Sequence, residues 1–120
     1  MTPSEFVKAI QKVIGEGTPT STIEAIKSPP GRRPDSELLE LSSWYLSLPV
    51  EHQSQINKLI RWTCDLAAFQ FLCVIDGVVA IEDIGDKGHL ELTYIKDDQR
   101  LILNEPESDF LHDLYKGDRK

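Results

Sequence analysis

Eight consecutive residues, Glu82-Asp83-Ile84-Gly85-Asp86-Lys87-Gly88-His89, gather three carboxylates and one imidazole, the densest set of potential metal ligands in the chain. Donors of these types suit a divalent ion, and the two glycines would let the backbone turn around it. On that reading Glu82, Asp83, Asp86 and His89 would serve a metal-dependent hydrolase. The order of ligands does not match an EF-hand loop, however, and Lys87 puts a positive charge at its centre. A solvated loop that binds no metal or other cofactor is the better reading.

Other residues capable of chemistry are scattered. Cys64 and Cys73 fall in one long helical pattern, where nine intervening steps would separate them by about 13.5 Å along the axis and half a turn around it. A disulfide requires Cα atoms within about 7 Å, so both are expected as free thiols, Cys73 packed as a small hydrophobe. His52 belongs to an exposed helix face, and His112 stands three residues after Asp109, the spacing of a surface pair. Neither has a nucleophile and an orienting group beside it, as triad chemistry requires. Ser42, Ser43 and Ser47 have no glycine-flanked elbow, and Gly15-Glu16-Gly17 lacks the lysine of a phosphate loop. These patterns argue against an enzyme. Asp76 is expected near a helix C-terminus, where negative charge is unfavourable, and so needs a donor from a loop amide, an arginine or a lysine. Arg32 and Arg33 are candidates for that role, or simply solvated.

The elements that must carry these residues follow from apolar spacing and from the breakers. Thr2-Pro3-Ser4-Glu5 is a capping box with proline at the first helical position, followed by Phe6, Ile10, Val13 and Ile14 on one face; Gly15 and Gly17 should end that helix. Ser21-Thr22-Ile23-Glu24 repeats the box on a shorter helix that Pro29 and Pro30 end. Residues 28–34, reading SPPGRRP, should run extended on the surface, with Asp35 capping the next helix. Leu38, Leu41, Trp44, Tyr45 and Leu48 stripe that helix, and Pro49 separates it from a helical pattern over residues 50–76. So short a connection predicts an antiparallel helical hairpin. In the long helix Ile56, Leu59, Ile60 and Thr63 mark the inner face, with Glu51, Gln53, Gln55, Asn57, Lys58 and Arg61 outward. Beyond Leu66 the apolar residues surround the helix, which predicts a central helix buried on all sides and ended by Gly77 in a left-handed cap. Truncating Phe71 there should cost about 3–5 kcal/mol.

Residues 78–82 fit a strand or a helical turn equally well. Over residues 89–104 a two-residue connection at Asp97-Asp98 pairs Tyr94 with Leu101 and Leu92 with Leu103, placing the large apolar residues on one face of a β-hairpin. Pro106 should open a last short helix with Phe110, Leu111, Leu114 and Tyr115 inward. The fold class is therefore mainly helical α+β: an antiparallel helical hairpin with a buried central helix, a C-terminal β-hairpin and a final short helix. A chain of 120 residues is expected to form one domain spanning 1–120.

Hydrophobic residues at 40% and charged residues at 28% place the chain among ordinary globular proteins. Asp65, Gln70 and Asp76 interrupt the most apolar stretch, so it is too polar to span a bilayer. The first fifteen residues lack the apolar core of a signal peptide, which predicts a cytoplasmic location. Residues 1–75 carry 8 acidic and 7 basic side chains and residues 76–120 carry 12 and 6, so the last third supplies −6 of the net charge of −7. That surface disfavours nucleic acid and suits a basic protein partner.

The segments LPVEHQSQINKLIRW, FQFLCVIDGVVAIED, LELTYIK, RLILNEP and FLHDLYK together resemble small bacterial proteins of the toxin-immunity type: short, acidic and without catalytic motifs. The resemblance implies a cytoplasmic protein that neutralises a basic toxin by binding it. The acidic residues Asp97, Asp98, Glu105, Glu107 and Asp109 are the candidate partner-binding set. A non-catalytic adaptor, or a homo-oligomer paired through the hairpin edge, is the other non-enzymatic reading.

Overall fold

The computed structural model describes residues 1–82 and 85–117. The architecture is mainly helical α+β, with α1 (Pro3–Ile10), a π-helical segment (Gln11–Glu16), α2 (Gly17–Lys27), α3 (Ser36–Ser47), α4 (Val50–Ile75), an antiparallel pair β1 (Thr93–Lys96) and β2 (Gln99–Ile102), and α5 (Leu111–Gly117). No helix among the described residues is long and apolar enough to cross a membrane. The chain divides into two compact units, one of Met1–Lys12 with Leu66–Lys120 and the other Val13–Asp65, so α4 contributes its first part to one and its last part to the other.

In the unit of Val13–Asp65 the backbones of α2 and α3 pack together. The expected break at Gly15 and Gly17 does not occur, because a widened π turn carries the helix across both glycines into α2. Pro19 lies just beyond, buried; it lacks the N–H that would bond to Gly15, and a widened turn before it accommodates the loss. Ser21 and Thr22 therefore sit inside α2 and do not cap it, their hydroxyls donating back to the carbonyl of Thr18 at 3.2 and 2.7 Å. Asp35 does precede α3, although its side chain makes no capping bond.

The turn from α3 to α4 at Leu48 and Pro49 is held by residues expected to point outward. Gln53 Nε2 donates to the carbonyls of Tyr45 (3.0 Å), which also accepts from the Leu48 amide (3.1 Å), and of Leu48 (3.3 Å), the residue that caps α3. The hydroxyl of Tyr45, itself 1% exposed, donates to Asn57 Oδ1 at 2.8 Å. The half-buried stripe of this part of α4 runs through Gln53, Ile56, Asn57, Ile60 and Cys64, while Leu59, Thr63 and Trp62 are exposed.

The unit of Met1–Lys12 with Leu66–Lys120 has its core in Val7, Ala68, Leu72, Cys73, Leu103, Leu111 and Tyr115, all buried. The capping box opens α1 as expected: the Glu5 amide donates to Thr2 Oγ1 at 3.1 Å and the Thr2 amide to Glu5 Oε2 at 3.3 Å. Helix α1 packs on α5, and Gln11 Nε2 donates to the carbonyl of Tyr115 at 2.7 Å. All-round burial of the end of α4 is corrected at Phe71, which is 62% exposed. The buried residues of that helix are Ala68, Leu72 and Cys73.

The hairpin has the expected register, Tyr94 opposite Leu101, with Asp97-Asp98 as its loop and Asp97 in the left-handed region at φ 54°. The Leu103 amide continues the pairing by donating to the Leu92 carbonyl at 2.7 Å. Residues 78–82 form neither strand nor helix, and α5 begins at Leu111, since Pro106 belongs to the turn before it and Phe110 is 40% exposed.

Candidate functional site

The polar centre of this unit forms where α4 ends. Gly77 adopts φ 77°, its amide donates to the Val74 carbonyl and the Val78 amide to the Cys73 carbonyl, both at 3.1 Å, which is a Schellman cap. The cap leaves Asp76 at the negative end of the helix dipole, with its side chain only 1% exposed. Its compensation comes from α5: the backbone amide of His112 donates to Asp76 Oδ2 at 2.9 Å, and His112 Nδ1 lies 2.7 Å from the same oxygen. A carboxylate can only accept, so Nδ1 carries the proton. The donor is thus an amide, as expected, joined by an imidazole; Arg32 and Arg33 are exposed and not involved. The expected Asp109–His112 surface pair is replaced by this contact, with Asp113 Oδ1 at 3.4 Å from Nε2.

Aromatic rings fix the imidazole. Phe110 stacks on it at 5.3 Å, Phe69 meets it edge-on at 5.8 Å, and Lys116 Nζ lies 4.3 Å from the Phe69 ring centre. A histidine–carboxylate pair can serve as a general base, but the second ring nitrogen faces Asp113 and no nucleophile. Cys73 stands one turn before Asp76 and is a free, buried thiol, as is expected of it; Cys64 is free as well. Burial, and secondarily the negative charge of Asp76 and Asp113, push the Cys73 thiol up against the opposing pull of Lys116, so the reactive thiolate is disfavoured. The arrangement is a structural clamp.

Asn104 is a second clamp. Its Nδ2 donates to the carbonyls of Ile75 (2.9 Å) and Leu90 (2.8 Å), and its Oδ1 accepts from the Leu92 amide at 2.8 Å. Beside it lies a cavity of about 290 Å³, walled by Ile75, Leu90 and Phe110 with Asp76, Glu91 and Glu105 among its polar groups. A second cavity, about 400 Å³, is lined by residues that include Val74, Val78, Val79, Ile81, Lys87 and His89.

Asp97 and Asp98 occupy the hairpin tip, whereas Glu105, Glu107 and Asp109 follow β2 at its base. Strands of four residues separate the groups by roughly 13 Å. All five are exposed, and none has an ion-pair partner among the described residues. In the loop, Glu82 Oε1 accepts from the Gly88 amide at 3.0 Å, closing the loop on itself; Asp83 lies outside the described residues. Among the described residues no three His, Cys, Asp or Glu side chains come close enough to share a metal ion.

No family model, curated protein or solved structure matches the chain.

Proposed function

We propose that this protein is a non-catalytic binding protein that neutralises a basic protein partner, a bacterial toxin being the class its size, acidity and sequence resemblance suggest. The observation that carries the reading is the state of the acidic side chains: Asp97, Asp98, Glu105, Glu107 and Asp109 are exposed and without ionic partners among the described residues. Such carboxylates contribute little to the fold and leave a negative field that accelerates encounter with a positive surface. By contrast, the histidine–carboxylate pair is enclosed by rings and spent on an α-helix cap, which favours binding over catalysis as the role of this unit.

The experiment is co-production with the protein encoded by the adjacent gene in a host that this gene product, made alone, arrests. Restored growth together with a stable complex of the two chains is the expected result. Continued arrest, or rescue without a complex, contradicts neutralisation by binding.

A further inference from the structure

The cavity beside Asn104 has the make-up of a receptor for one side chain. At about 290 Å³ it is at the lower edge of small-molecule pockets, too small for most cofactors. Ile75, Leu90 and Phe110 supply apolar wall, and Asp76, Glu91 and Glu105 supply negative charge; no lysine or arginine stands among its described lining residues. Asp76 is the telling member. Its side chain is 1% exposed and both of its hydrogen bonds fall on Oδ2, so Oδ1 takes no bond from the described protein although the residue lines the cavity. The three carboxylates are not close enough together to hold one metal ion. Separated acceptors around an apolar wall suit a planar guanidinium, whose donors fan out in several directions, better than a point charge.

We propose that this cavity receives an arginine side chain projected by the protein partner, its stem against Phe110 and Leu90 and its guanidinium among Asp76, Glu91 and Glu105. The assignment rests on the binding reading above and names the anchor within it: the exposed acids at the hairpin tip steer, and the cavity holds. An aliphatic stem on an apolar wall with a paired head is the kind of anchor that dominates interface energies. Asn104 is the positioning residue, since its three bonds set the distance between the end of α4 and the segment carrying Glu91.

The test is a titration of ¹⁵N-labelled protein with N-acetyl-arginine N-methylamide, followed by amide chemical shifts, with the neutral citrulline and the lysine derivatives as controls. Saturable shifts at Gly77, Leu90, Asn104 and Phe110, none at Asp97 or Asp98, and binding about tenfold or more weaker for both controls are expected. A Glu91→Gln/Glu105→Gln variant should lose these shifts while the rest of its spectrum overlays the wild type. Equal response to citrulline, shifts confined to the hairpin tip, or full binding by the variant overturns the cavity assignment; equal response to lysine overturns the choice of arginine. The titration needs no partner, so its failure leaves the acidic-surface reading to its own kinetic test.

Discussion

Asp76 concentrates two donors on one oxygen at a helix end that repels negative charge, and its contribution to stability follows from that geometry. Asp76→Asn keeps the shape but replaces charge-assisted bonds by neutral ones, so a cost of about 2 kcal/mol is expected in a urea melt; a loss below about 0.5 kcal/mol would mean the clamp is not holding α5. Phe71 and Leu72, neighbours in sequence, should behave oppositely. Leu72 is 2% exposed and its truncation to alanine should cost about 2–5 kcal/mol, whereas Phe71→Ala, at 62% exposure, should cost less than about 1 kcal/mol. Equal costs would place Phe71 in a core after all. Cys73 gives a pH test. A thiol raised above its ordinary value of 9.0 binds its proton more tightly folded than unfolded, so the stability it contributes is complete below pH 9 and lost as pH rises through the folded value. Replacing Cys73 with alanine should remove that alkaline part of the pH dependence of the melting temperature; an unchanged alkaline slope contradicts it.

At the scale of elements, the end of α4 depends on one backbone angle. Gly77 has open space where a Cβ would go, so Gly77→Ala meets strain from φ 77° alone and should cost about 1–2 kcal/mol, with Gly77→Asn milder. Circular dichroism melts of the two variants check the order; alanine as good as asparagine would contradict the cap. This cap and the hairpin register were legible in the sequence because each rests on local rules, a glycine after an apolar run and a period of two. The Thr2 to Glu5 box was legible for the same reason. Gln53 and Asn57 were misplaced because polar residues on a helix read as outward unless a carbonyl or hydroxyl is known to face them. The π segment was invisible, since two glycines in three residues signal a stop unless the helix can widen. Within the candidate site, the need of Asp76 for a donor was readable from the dipole, but His112 lies 36 residues away and only tertiary packing selects it. Asn104 gave no signal beyond ending a strand.

For the whole molecule, charge and its placement carry the functional account. The last third holds −6 of the net −7, with Asp97 and Asp98 exposed at the hairpin tip between Lys96 and Arg100, and Glu105, Glu107 and Asp109 exposed at its base. Exposed charges at such a rim act over about 10 Å at 0.1 M salt and chiefly alter association rates. The most direct measurement is the association rate of the wild type and of Asp97→Lys/Asp98→Lys with the adjacent-gene protein, taken across ionic strength. The wild-type rate should fall as salt rises, and the variant should associate more slowly at low salt with a flatter dependence and a nearly unchanged melting temperature. A variant that associates as fast as the wild type at low salt would contradict recognition through the acidic hairpin.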